Sequence, residues 1–95
     1  MKIRVEFLSL PLVVKLTGSK SISIDFAGGN VGELIDEIVR RYGPQLRKFL
    51  LDDDGKLDAV FRIVLNQSDW LKDDRLQRQL ADGDQVTIAM LVGGG

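Results

Sequence analysis

The chain contains no cysteine and no histidine, and these two absences exclude most of the common catalytic chemistries. Without cysteine there is no disulfide, no thiolate metal site and no thiol nucleophile. Without histidine the usual general base and the commonest metal ligand are missing, so neither a Ser-His-Asp nor a Cys-His mechanism can be built from this chain. Any chemistry that involves this protein must use other groups.

Long apolar runs and an excess of charge of one sign are also absent. No apolar stretch approaches the roughly 18 residues that a membrane-spanning helix needs. Charged and apolar residues alternate from Lys2 to Glu6, unlike the continuous apolar stretch of a signal peptide. The sequence has thirteen basic and fourteen acidic residues, and it lacks the dense basic stripe that is typical of a nucleic-acid binder. We therefore expect a cytoplasmic location, with neither nucleic acid nor a membrane as a partner.

The composition that remains is that of one small globular domain. The chain has 95 residues, of which 44% are hydrophobic and 28% are charged. This length suffices for one modest core and not for a second. We expect a domain over residues 1–92, followed by a flexible glycine tail over residues 93–95.

Four segments have the alternating or β-branched pattern of strands. They are residues 2–8, 20–26, 59–66 and 85–92. The first two are joined by a connection that contains Pro11 and Gly18, and they predict an antiparallel hairpin. Residues 67–80 are mostly polar and predict a loop with short elements.

One segment has the period of an amphipathic helix. From Val31 to Tyr42 apolar residues recur about every 3.6 positions. Asn30 is a predicted N-cap, with Glu33 completing a capping box, and Gly43 follows the last turn. A helix after a hairpin covers one face of a mixed sheet, and the last strand can lie parallel to the first in its middle. This order predicts an α+β fold, the ubiquitin-like β-grasp, with one main helix packed on one face.

Two motifs near the end of the sequence carry a resemblance to a known family. Leu80-x-Asp82-Gly83-Asp84-x-Val86-x-Ile88 predicts a turn followed by a strand, and the strand is followed by Gly93-Gly94-Gly95. Smaller matches are Val5-x-Phe7, Gly18, Val31-x-Glu33-Leu34 and Asn66. Together they cover nearly the whole chain, which resembles the small sulfur-carrier proteins of the MoaD/ThiS family, including the small subunit of molybdopterin synthase. Gln67 stands where glycine is commoner in that family.

The resemblance implies a carrier protein and not an enzyme. A ubiquitin-activating-type enzyme would use ATP to adenylate the carboxylate of Gly95, and a sulfur donor protein would then replace AMP to leave a thiocarboxylate. Gly93 and Gly94 would form a thin tail that enters the channel of a partner. That partner would be a synthase large subunit or another sulfur-acceptor enzyme. The chain itself would bind no cofactor and no metal.

The expected pathway is synthesis of molybdopterin or the related tungsten cofactor. Thiamine synthesis, cysteine synthesis and a role as a ubiquitin-like modifier attached to lysines are alternatives with the same tail chemistry. A β-grasp interaction domain with an inert tail is a third possibility.

A partner surface is expected on the sheet face that the helix leaves uncovered. Such a face remains partly apolar in this sequence, and an uncovered apolar face marks an interaction site. The candidates are Thr87, Ala89, Leu91 and the outward residues of the strand at 59–66.

Weaker features have simpler interpretations. Asp52-Asp53-Asp54-Gly55 lacks the ligand spacing of a calcium loop and predicts a solvated turn. Gly28-Gly29-x-x-Gly32 lacks the lysine and the spacing of phosphate-binding loops. Trp70 and Leu71 are predicted to cap the core, and a place in a partner patch is the alternative. Four cations are interpreted as solvated helix charges: Arg40, Arg41, Arg47 and Lys48.

Overall fold

The computed structural model describes residues 1–72 and 75–90, which form one mixed sheet and three helices. The elements in chain order are β1 (Lys2–Leu8), α1 (Pro11–Thr17), β2 (Ser21–Asp25), α2 (Val31–Tyr42), α3 (Pro44–Leu50), β3 (Phe61–Leu65), β4 (Asp69–Trp70) and β5 (Gln85–Met90). No helix within these described ranges has the length and apolar character needed to cross a membrane.

The sheet has five strands in the order β2-β1-β5-β3-β4. β5 runs parallel to β1, and the pairs β1–β2, β3–β5 and β3–β4 are antiparallel. The predicted hairpin and the central last strand are therefore confirmed, and the fold is the ubiquitin-like β-grasp. β3 is shorter than its predicted range of 59–66, and the last two residues of the strand predicted at 85–92 lie outside the described residues.

Helix α2 begins and ends where its capping residues indicate. The Asn30 side-chain oxygen accepts a hydrogen bond from the Glu33 amide at 2.8 Å, and the Asn30 amide donates to the Glu33 carboxylate at 3.1 Å. The amide of Gly43 donates to the Val39 carbonyl at 2.8 Å and closes the last turn. The helix lays its buried side chains Leu34, Ile35 and Ile38 on the sheet.

Side chains on one sheet face form the core with the helices, because successive residues of a strand point to opposite faces. The strand residues in this core are Ile3, Val5, Phe7, Ile22, Ile24, Phe61, Ile63, Leu65, Val86 and Ile88. We call the other face of the sheet, opposite the helices, the open face.

The prediction that Trp70 belongs to the core is wrong. Trp70 is 60% exposed, whereas its neighbour Leu71 is 5% exposed and packs in the core as predicted. In the β3–β4 pair Trp70 lies opposite Val64, whose side chain is outside the core cluster. The alternation of strand side chains therefore places Trp70 on the open face.

The glycine-rich segment before α2 offers no phosphate site. The amide of Val31 donates to the Arg78 carbonyl at 3.1 Å, and the amide of Gly32 donates to the Leu76 carbonyl at 2.9 Å. The first amides of the helix are therefore already used by a neighbouring segment. The carboxylate of Asp52 likewise accepts two amides of its own turn. Among the described residues there is no group of three potential metal ligands.

Candidate functional site at the end of the central strand

The last residues of β5 lie at one end of the central strand of the sheet. Ala89 is opposite Leu8 of β1 on one side and opposite Arg62 of β3 on the other. Met90 is opposite Phe61 and packs partly against the core. The chain continues from Met90 into four of the predicted site residues, which lie outside the described residues: Leu91, Gly93, Gly94 and Gly95. The strand that precedes these residues in the sequence is thus the central one of the sheet.

The Asp-Gly-Asp turn lies at the opposite end of β5, about 20 Å from Met90 at the usual rise of a strand. The Asp82 carboxylate accepts the amide of Lys2 at 2.7 Å. The amide of Gly83, whose φ is +88°, donates to the carbonyl of Lys2 at 2.8 Å. Both backbone groups of the first β1 residue are therefore held by this turn.

Asp84 connects the same turn to the end of β3. One of its carboxylate oxygens accepts the amide of Ala81 at 2.8 Å, and the other accepts the side-chain amide of Asn66 at 3.1 Å. The Asn66 side-chain oxygen accepts the amide of Gln85 at 2.9 Å. The amide of Arg4 donates to the Asp84 carbonyl at 3.0 Å. The motif that carries the resemblance is thus structural, because it holds the start of β5 against both neighbouring strands.

Two rows of paired residues cross the open face beside the end of β5. One row contains Glu6, Thr87, Val64 and Trp70. The next row contains Leu8, Ala89 and Arg62. The apolar side chains in these rows form a band across the sheet together with the methyl group of Thr87; they are Leu8, Val64, Trp70 and Ala89. Glu6 places a negative charge, and Arg62 a positive charge, at the edges of this band.

The three residues predicted for a partner surface have different positions. Ala89 is on the open face and partly exposed. Thr87 is on the same face but only 6% exposed, so it contributes little accessible surface. Leu91 lies outside the described residues. The sequence interpretation missed Leu8, which is 47% exposed, and gave a partner patch only as the alternative for Trp70. The alternating pattern of β1 could have identified Leu8, because the residue after the core residue Phe7 points to the other face of the sheet.

Comparison with known proteins identifies the family. The family model described as "ThiS family" matches residues 13–95. The sulfur carrier protein CysO of Mycobacterium tuberculosis is 29% identical over 90 residues, which covers 93% of this chain and 96% of that protein. The chain belongs to the ThiS family of ubiquitin-like sulfur carriers.

Solved structures agree with membership of the ThiS family. The crystal structure of SAMP1 from Haloferax volcanii matches with a TM-score of 0.79 at 23% identity, covers both chains completely and supports the fold. A chain in the crystal structure of the Amycolatopsis orientalis BexX/CysO complex is 28% identical, with a TM-score of 0.69 over 98% of this chain and 99% of that one. In that structure CysO is in complex with BexX.

Proposed function

We propose that this ThiS-family protein carries sulfur as a thiocarboxylate on Gly95. A carboxylate oxygen of Gly95 attacks the α-phosphate of ATP in a ubiquitin-activating-type enzyme, and pyrophosphate leaves. The terminal sulfur of a persulfide on a sulfur donor protein then attacks the acyl carbon, and AMP leaves with the bonding electron pair. A thiol of the donor next attacks the inner sulfur of the resulting acyl disulfide, so that a disulfide forms on the donor and the thiocarboxylate leaves. A free carboxylate is a poor electrophile, and the acyl-adenylate supplies the leaving group that it lacks. The observation that carries this proposal is that the central strand β5, in a chain of this family, is followed in the sequence by the three glycines.

The carrier needs no catalytic residue of its own for this chemistry. The sequence has no cysteine and no histidine, and the reacting atoms belong to the chain end and to the partners. Residues 91–95 span at most about 17 Å when extended, which is enough to reach into a deep active site. Glycines without a Cβ pass through a narrow channel that larger residues would block. We therefore propose that the protein acts as a carrier that itself binds neither the ATP nor a metal.

Deletion of Gly95 tests the adenylation step. We expect the deletion to abolish ATP–pyrophosphate exchange by the cognate activating enzyme, because the attacking carboxylate is displaced by one residue. The control variant is Asp53→Ala, a substitution in an exposed turn that should leave exchange unchanged. Exchange at the wild-type rate after the deletion would show that Gly95 is not the activated group.

The intact mass of protein purified from its native host distinguishes the carrier from its alternatives. We expect a species heavier than the free acid by the difference between sulfur and oxygen, with an alkylatable sulfur at Gly95. Oxidation of Met1 or Met90 changes the mass by nearly the same amount, so the fragment position must agree. Lysine-linked adducts without thiocarboxylate would favour the modifier, and free acid alone would favour the inert tail.

For the acceptor we propose the precursor of molybdopterin or of the related tungsten cofactor, on the resemblance to the small subunit of molybdopterin synthase. Transfer of labelled sulfur from the thiocarboxylated protein to a reaction with the synthase large subunit supports this acceptor. Transfer only to a cysteine-forming or thiamine-forming enzyme replaces it and leaves the carrier function intact.

We propose that the open face binds the activating enzyme, with Trp70 as its main anchor. A large aromatic side chain that is 60% exposed beside a band of apolar residues is typical of an interface hot spot. We expect Trp70→Ala to weaken binding about tenfold or more, measured by calorimetry. The matched control is Leu12→Ala, which truncates a 43% exposed side chain on α1. Equal affinity of the Trp70 variant and the wild type would exclude this face.

A further inference from the structure

An apolar crevice lies between α1 and the paired strands β1 and β2, away from the open face. It has a volume of about 440 Å³, within the roughly 300–1,000 Å³ of small-ligand sites. Its apolar walls are formed by Phe7, Leu10, Pro11 and Val14. Lys15 and Lys20 also line it, and both residues are exposed. The crevice therefore combines an apolar surface with two accessible cations.

The two lysines have no acidic neighbour in the segment that forms the crevice. Residues 7–24 include the whole lining and contain no aspartate or glutamate. Within residues 1–72 and 75–90, every ion pair involves an arginine, so no described carboxylate is within ion-pair distance of either lysine. Glu6, which precedes this segment, is on the open face and accepts a hydrogen bond from the Gln85 side chain at 2.8 Å. The charge of the crevice is therefore available to an anion.

The crevice begins beside the end of β5. Leu8 of β1 is opposite Ala89, and β1 leaves the sheet at the next residue, Ser9, whose φ is +58°. Ser9 is part of the crevice lining. From there the crevice extends to the far side of β1, where the Phe7 amide donates to the carbonyl of Lys20 at 2.8 Å. One side of the crevice thus adjoins the point from which the chain continues beyond Met90.

The terminal segment, residues 91–95, has the length and the chemistry to occupy this crevice. β1 separates β5 from β2, so Lys20 is two strand spacings, or about 10 Å, from the end of β5. The terminal segment reaches at most about 17 Å when extended. Its sequence gives two apolar side chains, Leu91 and Val92, and then the three glycines. The apolar residues therefore come first, beside the apolar walls, and the carboxylate of Gly95 comes last, within reach of the lysines.

We propose that the crevice binds the terminal segment of the same chain when no partner holds it. Leu91 and Val92 pack against the apolar walls, because burial of apolar surface is favourable. The carboxylate of Gly95 lies between Lys15 and Lys20. This ionic contact rests on the proposed function, in which Gly95 is the reacting end of the chain. Exposed ion pairs are weak, so docked and undocked segments coexist in comparable amounts.

Docking of the terminal segment is an autoinhibitory contact. The activating enzyme takes only the undocked form, so its apparent dissociation constant rises by the reciprocal of the undocked fraction. With comparable amounts of the two forms, this factor is about two. A partner that holds the segment shifts the population to the undocked form, and release from the partner returns the reactive end to the crevice.

Methyl NMR of the ¹³C-labelled full chain tests the docking without any activating enzyme. We expect nuclear Overhauser effects between the methyl groups of Leu91 and Val92 and the side chains of Pro11 and Val14. They should persist on dilution, because the contact is within one molecule. Added salt should weaken them, because ionic screening reduces charge–charge attraction.

Three variants make the measurement specific. An acetylated Met-Leu-Val-Gly-Gly-Gly peptide gives the methyl shifts of the undocked segment. We expect the double variant Lys15→Gln/Lys20→Gln to lower the ratio of docked to undocked segment about three- to tenfold, the range for loss of two exposed ion pairs. Lys15→Arg/Lys20→Arg keeps both charges and should retain the docked form. Lys48→Gln, in the last turn of α3 and outside the crevice, should behave like the wild type.

Methyl shifts of Leu91 and Val92 equal to those of the free peptide, without contacts to the crevice, would overturn the proposal. The same holds if the double glutamine variant leaves the shifts unchanged. Contacts that disappear on dilution would assign the crevice to the terminal segment of a second copy instead. None of these outcomes depends on the Gly95 deletion or on the enzyme, so failure here and failure of the proposed adenylation can be told apart.

Discussion

Two consecutive residues after β3 have left-handed backbone conformations, and only one of them has a compensating contact. Asn66 has a φ of +52°, and its side chain bonds the Asp84 carboxylate and the Gln85 amide. Gln67 has a φ of +70°, and its side chain makes only a 3.5 Å contact with the Gln85 side chain. A left-handed conformation is unfavourable for residues with a Cβ, and glutamine gains little here in return.

Replacement of Gln67 by glycine should therefore stabilise the protein. We expect Gln67→Gly to raise the free energy of unfolding by about 1 kcal/mol, measured by urea denaturation. Asn66→Gly is the contrasting variant and should lower it, because glycine removes the two side-chain hydrogen bonds at that position. A lower stability of Gln67→Gly would show that the turn is not strained at this residue.

At the scale of single elements, α2 is tied to the sheet by a group of charges near its last turn. The Glu37 carboxylate accepts hydrogen bonds from Arg41 Nε at 2.9 Å and from Arg40. Arg41 also donates to the carbonyl of Asp25 at 2.7 Å, at the end of β2. The hydrogen bond from Arg41 lowers the pKa of Glu37, and the one from Arg40 lowers it further.

This lowered pKa predicts a pH dependence with a defined sign. The folded-state pKa of Glu37 lies below the unfolded value of about 4.3, so its contribution to stability is present above that pH and is lost as pH falls through the folded pKa. We expect Glu37→Gln to be less stable than the wild type at about pH 7, and the difference to shrink at about pH 3.

The matched control for this measurement is Asp36→Asn, which removes an exposed carboxylate one position earlier in α2. Urea midpoints of all three proteins at both pH values give the comparison. A difference between the wild type and Glu37→Gln that is independent of pH would contradict the assignment.

At the scale of the whole molecule, the two ends of β5 have separate roles. The start is held by Asp82, Asp84 and Asn66, whereas the end precedes the tail that reacts in the function we propose. The buried core of the described residues is complete by Met90. Substitutions in β5 should therefore change stability, whereas changes in the glycine tail should change activity.

Deletion of residues 93–95 should change the free energy of unfolding by less than about 0.5 kcal/mol and abolish activation. Ile88→Ala, at a fully buried site in the middle of β5, should lower the free energy of unfolding by about 2–5 kcal/mol. Urea denaturation and pyrophosphate exchange on the same samples provide both readouts. A loss of several kcal/mol on deletion of the tail would show that the tail is part of the folded core.

Local patterns account for most of the secondary structure. β1, β2 and α2 agree with their predicted ranges to within one residue, because strand alternation, helix period and a capping box depend only on neighbours in the chain. β4 has two residues, which is too short for any period, and the sequence therefore gave no sign that Trp70 lies on the open face and not in the core.

The absence of cysteine and histidine and the three consecutive glycines are properties of the amino-acid sequence alone, and the two absences exclude thiol and imidazole chemistry within this chain before any fold is known. The role of the Asp-Gly-Asp turn, the open face and the position of the crevice beside the end of β5 follow only from the folded chain. Each depends on which distant strands and loops become neighbours, and that pairing is decided by how all the elements share one core.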